Sequence, residues 1–324
     1  MEARTRTHPP PRWSLVSGAL GALAWLAAPW APLGSPPPFG SIEHVFLFLP
    51  LVAAPLALLL ATLLLGDASS IFHAAARLAQ PVAAAMVLAA FLVARGAVGG
   101  GLTAGWLLMA GLAAAGGIRA VKPGSGANLS NVSLLAAHLF LPLGAVWLLL
   151  SRLGVRPRAF SDLTVFLAAL HFHFGGFTLQ ILIAATGRLV RNERSRLGAL
   201  HRVLALGAIA GIPIIAAGNA LPSPALKLVG VALMVLGTIA LAVTSSSVAF
   251  GMHSRTVRRL LLASATSLAA AMVVAGVYGA GELTGSGWID ISRMVEIHGL
   301  LNTLGFTLCG LGAHLHLRMH RAGS

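Results

Sequence analysis

The chain has 324 residues, 57% of them hydrophobic and only 9% charged, with a mean hydropathy of +0.87. Soluble domains carry about a quarter charged residues, so this composition excludes an ordinary soluble globular fold. The formal net charge of +14 would suit a nucleic-acid partner, but no basic, aromatic-interleaved soluble segment carries such binding, and nucleic acid is excluded. The single cysteine, Cys309, rules out an intrachain disulfide and any CxxC metal or redox motif.

Residues 1–12 are basic and proline-rich and read as a short cytoplasmic tail. The apolar block from Trp13 to Leu33 is longer than the core of a cleaved signal peptide, which predicts a retained first helix. Gly34 to Gly40, with three consecutive prolines, predicts a stiff turn outside the membrane. Further apolar blocks follow at about 44–66, 74–94, 101–121, 130–151, 160–187, 199–220, 225–249, 258–280 and 297–318. Each is long enough to cross a hydrocarbon core of roughly 30 Å. The expected fold is all-α: a polytopic transmembrane helix bundle of about ten spans in one domain, 13–320.

Arginine and lysine placement orients it. With the N-terminus in the cytoplasm, most of the 22 basic residues fall on the cytoplasmic side, and both termini lie there. Arg95, Arg152, Arg156, Arg158, Lys227 and Arg293 fall on the outer side. The loop Arg152 to Arg158 runs against the rule, and the glycine-rich span 101–121 is the first place to suspect a misdrawn helix. The expected location is the bacterial cytoplasmic (inner) membrane, with the lipid bilayer as partner.

Two spans carry polar residues at depth. The first contains His171 and His173. An imidazole inside a bilayer is costly unless it faces a partner, a cavity or a ligand. Residues two apart on a helix point in opposite directions, so the two rings cannot hold one metal ion between them. His171 shares a face with Thr164, Gly175 and Thr178; His173 shares one with Gly176, Phe177 and Gln180. This predicts a central, enclosed helix. On the last span, His298, Asn302, Gly305 and Cys309 fall on one face, and Glu296, Thr303, Thr307, Gly310 and His314 on another. The expected substrate or proton pathway is His171, His173, His298, Asn302 and Thr178, with Asp162, Tyr278, Glu282 and Glu296 at its outer mouth. His138 is expected to approach His171 or His173 from the cytoplasmic side. The candidate metal or haem ligands are His138, His171, His173 and His298. His44, His73, His201 and His314 fall near helix ends and read as solvated or at the lipid headgroups.

The segments HFHFGGF (His171 to Phe177) and HGLLNTLGF (His298 to Phe306) resemble the signature segments of the YndJ-like family of bacterial polytopic membrane proteins, HFHYAGF and HGxxNAxGF. The resemblance falls on His171, His173, Gly176 and Phe177, and on His298, Gly299, Asn302, Gly305 and Phe306. Phe174 stands where that family often has Tyr, and Gly175 where it has Ala. Members carry transporter names without a defined substrate, so the resemblance implies a shared polar site and leaves its chemistry open. The leading expectation is a small-solute or proton-coupled transporter. The alternatives are a haem- or metal-binding membrane redox enzyme and a non-catalytic membrane subunit.

Overall fold

The computed structural model describes residues 12–30, 40–120, 129–190, 192 and 194–321. The basic tail up to residue 11 and most of the proline-rich turn lie outside the described residues. Among those described, the chain is helical throughout, with no strand. The helices are α1 Arg12–Ala27, α2 Ser41–Leu65, α3 Ile71–Leu92, α4 Ala97–Ala120 and α5 Leu129–Leu153. They continue with α6 Asp162–Gly187, α7 Arg196–Ala220, α8 Pro224–Phe250, α9 Arg255–Thr284 and α10 Ile291–His320. Nine of these, among the described residues, are long and apolar enough to cross a membrane, and the protein is a polytopic helical bundle.

The exception is α1. Its 16 residues rise about 24 Å, short of the roughly 30 Å core. The expected helix from Trp13 to Leu33 stops early because Pro29 cannot supply the next backbone N–H, and Ala28–Trp30 tightens into a 3-10 turn. The glycine-rich span, by contrast, is a continuous helix of 24 residues. The arginines expected on the outer side make local bonds. Arg152, 7% exposed, donates to Val93 O at 2.7 Å and lies over the Phe91 ring. Arg156 and Arg95 both pair with Asp162, and Arg158 donates to Ala220 O. These cations bond helix ends on one side of the bundle.

Helix α2 is the enclosed one. Of its apolar window 83% is buried, against 67% for α6 and 39% for α10. Phe46 packs on Phe91 and Phe166, while a Cβ on Gly299 of α10 would lie 2.9 Å from Val45 Cγ1. So α6 and α10, the two polar-marked spans, both pack against α2. At its far end the carbonyls of Leu63 and Leu64 accept from Arg318 and Arg188 respectively, cations placed where the helix dipole is negative. Burial pushes the Arg188 guanidinium below its ordinary pKa.

Three spans share one irregularity. Helices α2, α6 and α10 each widen into π-helix, over Leu49–Ala53, Phe172–Thr178 and Leu301–Leu308. The π segment of α2 touches the other two. Pro50 explains the first, since it removes a donor from the ladder, and its own carbonyl is taken by Gln80 Nε2 at 2.7 Å. Thr178 Oγ1 reaches back five residues to His173 O, and Cys309 Sγ to Leu304 O. Single-turn π segments occur frequently at functional sites.

Candidate functional site

The two histidines of α6 have opposite fates, as their spacing predicts. His173 is fully buried. Its Nδ1–H donates to Ala169 O at 2.7 Å, and its Nε2 accepts from Trp106 Nε1–H at 2.8 Å. Both ring nitrogens are engaged, and Phe46 meets the ring edge-on. Gly144 of α5 leaves the space for it: a Cβ there would lie 2.6 Å from Nδ1. His173 is therefore a bolt between α4, α5 and α6.

His171 faces outward, with an accessible ring. Its Nδ1–H donates to Leu167 O at 2.7 Å, and Nε2 has no hydrogen-bond partner among the described residues. Across α2, His298 is similar. Its Nδ1–H donates to Ala271 O of α9 at 2.8 Å, Nε2 is uncommitted, and the ring is half-buried. One turn on, Asn302 donates Nδ2–H to His298 O at 2.9 Å and leaves Oδ1 without a partner among the described residues. At 1.5 Å per residue, all three lie on the order of 10 to 16 Å from the Asp162 end of the bundle.

Thr178 does not join them. The π turn rotates it into the core, where it is fully buried. At the expected mouth, Asp162 forms a two-pronged pair with Arg156, at 2.7 and 2.5 Å, and is 3.2 Å from Arg95. Its carboxylate raises the Arg156 pKa through those hydrogen bonds. Glu296 is exposed and Tyr278 half-buried; the side chain of Glu282 lies outside the described residues.

His138 meets neither His171 nor His173. It is fully buried and bonded to His73, Nε2 to Nε2 at 3.1 Å, with its Nδ1–H on Leu134 O at 2.6 Å. His73, expected near the surface, is 2% exposed because it closes a capping box with Ser70 and turns inward. A Cβ on Gly116 or Gly117 of α4 would strike His73 or His138 at 2.7 or 2.5 Å. His314 and His201 are also buried, at 3% and 7%, and Thr186 lies 3.3 Å from His314 Nε2. The only sequence cue for these pairings is the glycine pair in α4, since it admits bulky rings from both neighbours.

Among the described residues no three His, Cys, Asp or Glu side chains converge as metal ligands. Of the four candidate ligands, His138 and His173 are bonded at both nitrogens, which leaves Nε2 of His171 and of His298 open.

The family model for YndJ-like proteins matches residues 44–306, most of the chain and both polar spans. The chain belongs to the YndJ-like family. It is 23% identical over 184 residues to the uncharacterized membrane protein YndJ of Bacillus subtilis (strain 168). That alignment covers 57% of this chain and 32% of the relative, so the chain spans about a third of the relative it matches. No solved structure matches.

The residues on which the resemblance falls sort by physical role. Gly176, Gly299 and Gly305 admit Phe140, Val45 and Ser267 at distances no Cβ allows. Phe177 and Phe306 fill the core, and His173 is bolted to Trp106. His171, His298 and Asn302 are left with polar atoms uncommitted.

Proposed function

We propose that this multi-pass membrane protein is a transporter of a small solute, coupled to protons, whose path passes His171, His298 and Asn302. The observation that carries the reading is the set of uncommitted polar atoms at one depth on α6 and α10, beside the junction of three π segments. Membrane helices tolerate irregular backbone where it is enclosed or lines a cavity, and transporters place interrupted helices at their sites. Imidazole has an unperturbed pKa near neutrality, which suits His171 or His298 to proton exchange. His173 supports the site by fixing α6, and the metal or haem reading loses two of its four ligands to existing bonds.

The test is uptake by vesicles reconstituted with the full chain and loaded with a pH-sensitive dye, over a panel of small amines, acids, sugars and salts. Solute-dependent proton movement in the parent, lost in His171→Ala and Asn302→Ala at equal protein level, supports the reading. Parent vesicles no different from empty ones across the panel would overturn it.

A further inference from the structure

The arginines that open α7 and α9 differ from those near Asp162. Arg95 and Arg156 pair with Asp162, Arg152 donates to Val93 O and Arg158 to Ala220 O. At the opposite end of the bundle, Arg196 and Arg202 of α7 and Arg255 and Arg259 of α9 are exposed, and none has a side-chain partner among the described residues. The sequence supplies few carboxylates for them: between Glu193, just before α7, and Glu282, near the far end of α9, there is no aspartate or glutamate.

Packing gathers these arginines at one end. Helix α8 packs against both α7 and α9 and is joined to each by a short connection, so α7 and α9 start on the same side. Leu189 and Val190, ahead of α7, pack on a small apolar cluster of Val248 and Ala249 of α8, Val257 and Leu261 of α9 and Ala313 of α10.

The side chains along the same faces indicate the partner. Leu200 and Val203 follow Arg196 by four and seven positions, Leu206 follows Arg202 by four, and Val273 follows Arg259 by fourteen; all are exposed. Those spacings keep to one face of a helix. Phe250, at the end of α8, is 72% exposed. On a spanning helix such a face meets acyl chains, and a guanidinium about 6 Å nearer the helix end reaches the headgroup level with its stem along the apolar surface. Interleaving with lipid-facing side chains favours a membrane partner over an acidic protein or a nucleic acid. A guanidinium offers a phosphate two parallel N–H donors, and basic residues at a bilayer surface attract anionic lipids. The topological preference for positive charge acts during insertion, whereas a headgroup contact persists in the purified chain.

We propose that the starts of α7 and α9, through Arg196, Arg202, Arg255 and Arg259, bind the phosphate headgroups of anionic phospholipids in preference to zwitterionic ones. The experiment is native mass spectrometry of the detergent-purified full chain with an equimolar mixture of phosphatidylglycerol and phosphatidylcholine of matched acyl chains. The same mixture is offered to Arg202→Gln/Arg255→Gln/Arg259→Gln, to Arg156→Gln, and to the parent with glycerol phosphate or polyglutamate added.

The parent is expected to retain phosphatidylglycerol about fivefold or more over phosphatidylcholine, with the preference shrinking as ionic strength rises. The triple variant should lose most of it, and Arg156→Gln should behave as the parent. Equal retention of the two lipids by the parent, a preference intact in the triple variant, or one lost equally in Arg156→Gln would each overturn the proposal. Glycerol phosphate displacing the lipid at equal concentration would overturn it in favour of a soluble phosphate. Retention of polyglutamate with no preference between the lipids would do so in favour of an acidic protein. Should the triple variant fail to reach the membrane, Arg259→Gln alone carries the same test: a partial loss of preference supports the proposal, and no loss overturns it.

Discussion

The indole N–H of Trp106 meets His173 Nε2 at 2.8 Å and joins α4 to α6 inside the bundle. Removing the donor leaves a buried nitrogen with nothing to accept from, at a cost of about 1–3 kcal/mol. Trp106→Phe is therefore expected to lower the melting temperature in detergent by several degrees. An unchanged melt would mean that water or another group takes the donor's place.

His171 and His173 should separate in their consequences. His173→Ala removes a fully buried ring with two bonds, and membrane levels should fall. His171→Ala removes an accessible ring, so levels should match the parent while the mutant phenotype or flux is lost. Quantitative blotting beside the activity assay reads both; equal effects of the two variants on protein level would contradict the assigned roles.

Glycine substitutions give a further contrast. Gly144→Ala places a Cβ 2.6 Å from His173 Nδ1, and such overpacking costs about 1–3 kcal/mol. Gly101→Ala, in the exposed stretch of the neighbouring helix with nothing within 4 Å, should be neutral or stabilising by up to roughly 1 kcal/mol. Thermal melts of the pair check the order, and a reversal would mean the helices α5 and α6 are not this close.

Arg188→Gln removes a cation from the carbonyl end of α2, with an expected loss on the order of 1 kcal/mol. Arg156→Gln breaks an exposed pair with Asp162, and exposed pairs contribute little; its melt should be indistinguishable from the parent's.

A reporter fused after Ser324 is expected to be active in the cytoplasm, from the arginine distribution. A reporter active only outside would invert the orientation or change the number of crossings by one.

The spans were legible because bilayer thickness imposes a length and an apolar composition that any reading of hydropathy detects. The opposite fates of His171 and His173 were legible too, from helical rotation. Thr178 was misplaced because that rotation assumed an unbroken α-helix, and a π turn adds a residue that only backbone geometry reveals. His73 reads as interfacial from its position three residues after Ser70, yet the capping box turns it inward to His138. The Trp106 bond joins positions 67 apart, and nothing local in the sequence announces it.

Helix α2 is made before two of the spans that pack against it, α6 and α10, which come much later in the chain. The carbonyl of Leu64 can meet Arg188 once α6 is in place, while Val45 meets Gly299, and Leu63 O meets Arg318, only once α10 has entered the bilayer. The contacts of α2 with α1 and α3 are available early, whereas those with α6 and α10 need segments made much later. Trimming α10 would strip one wall from α2 as well as deleting a helix, so losses at one end of the chain would be felt at the other.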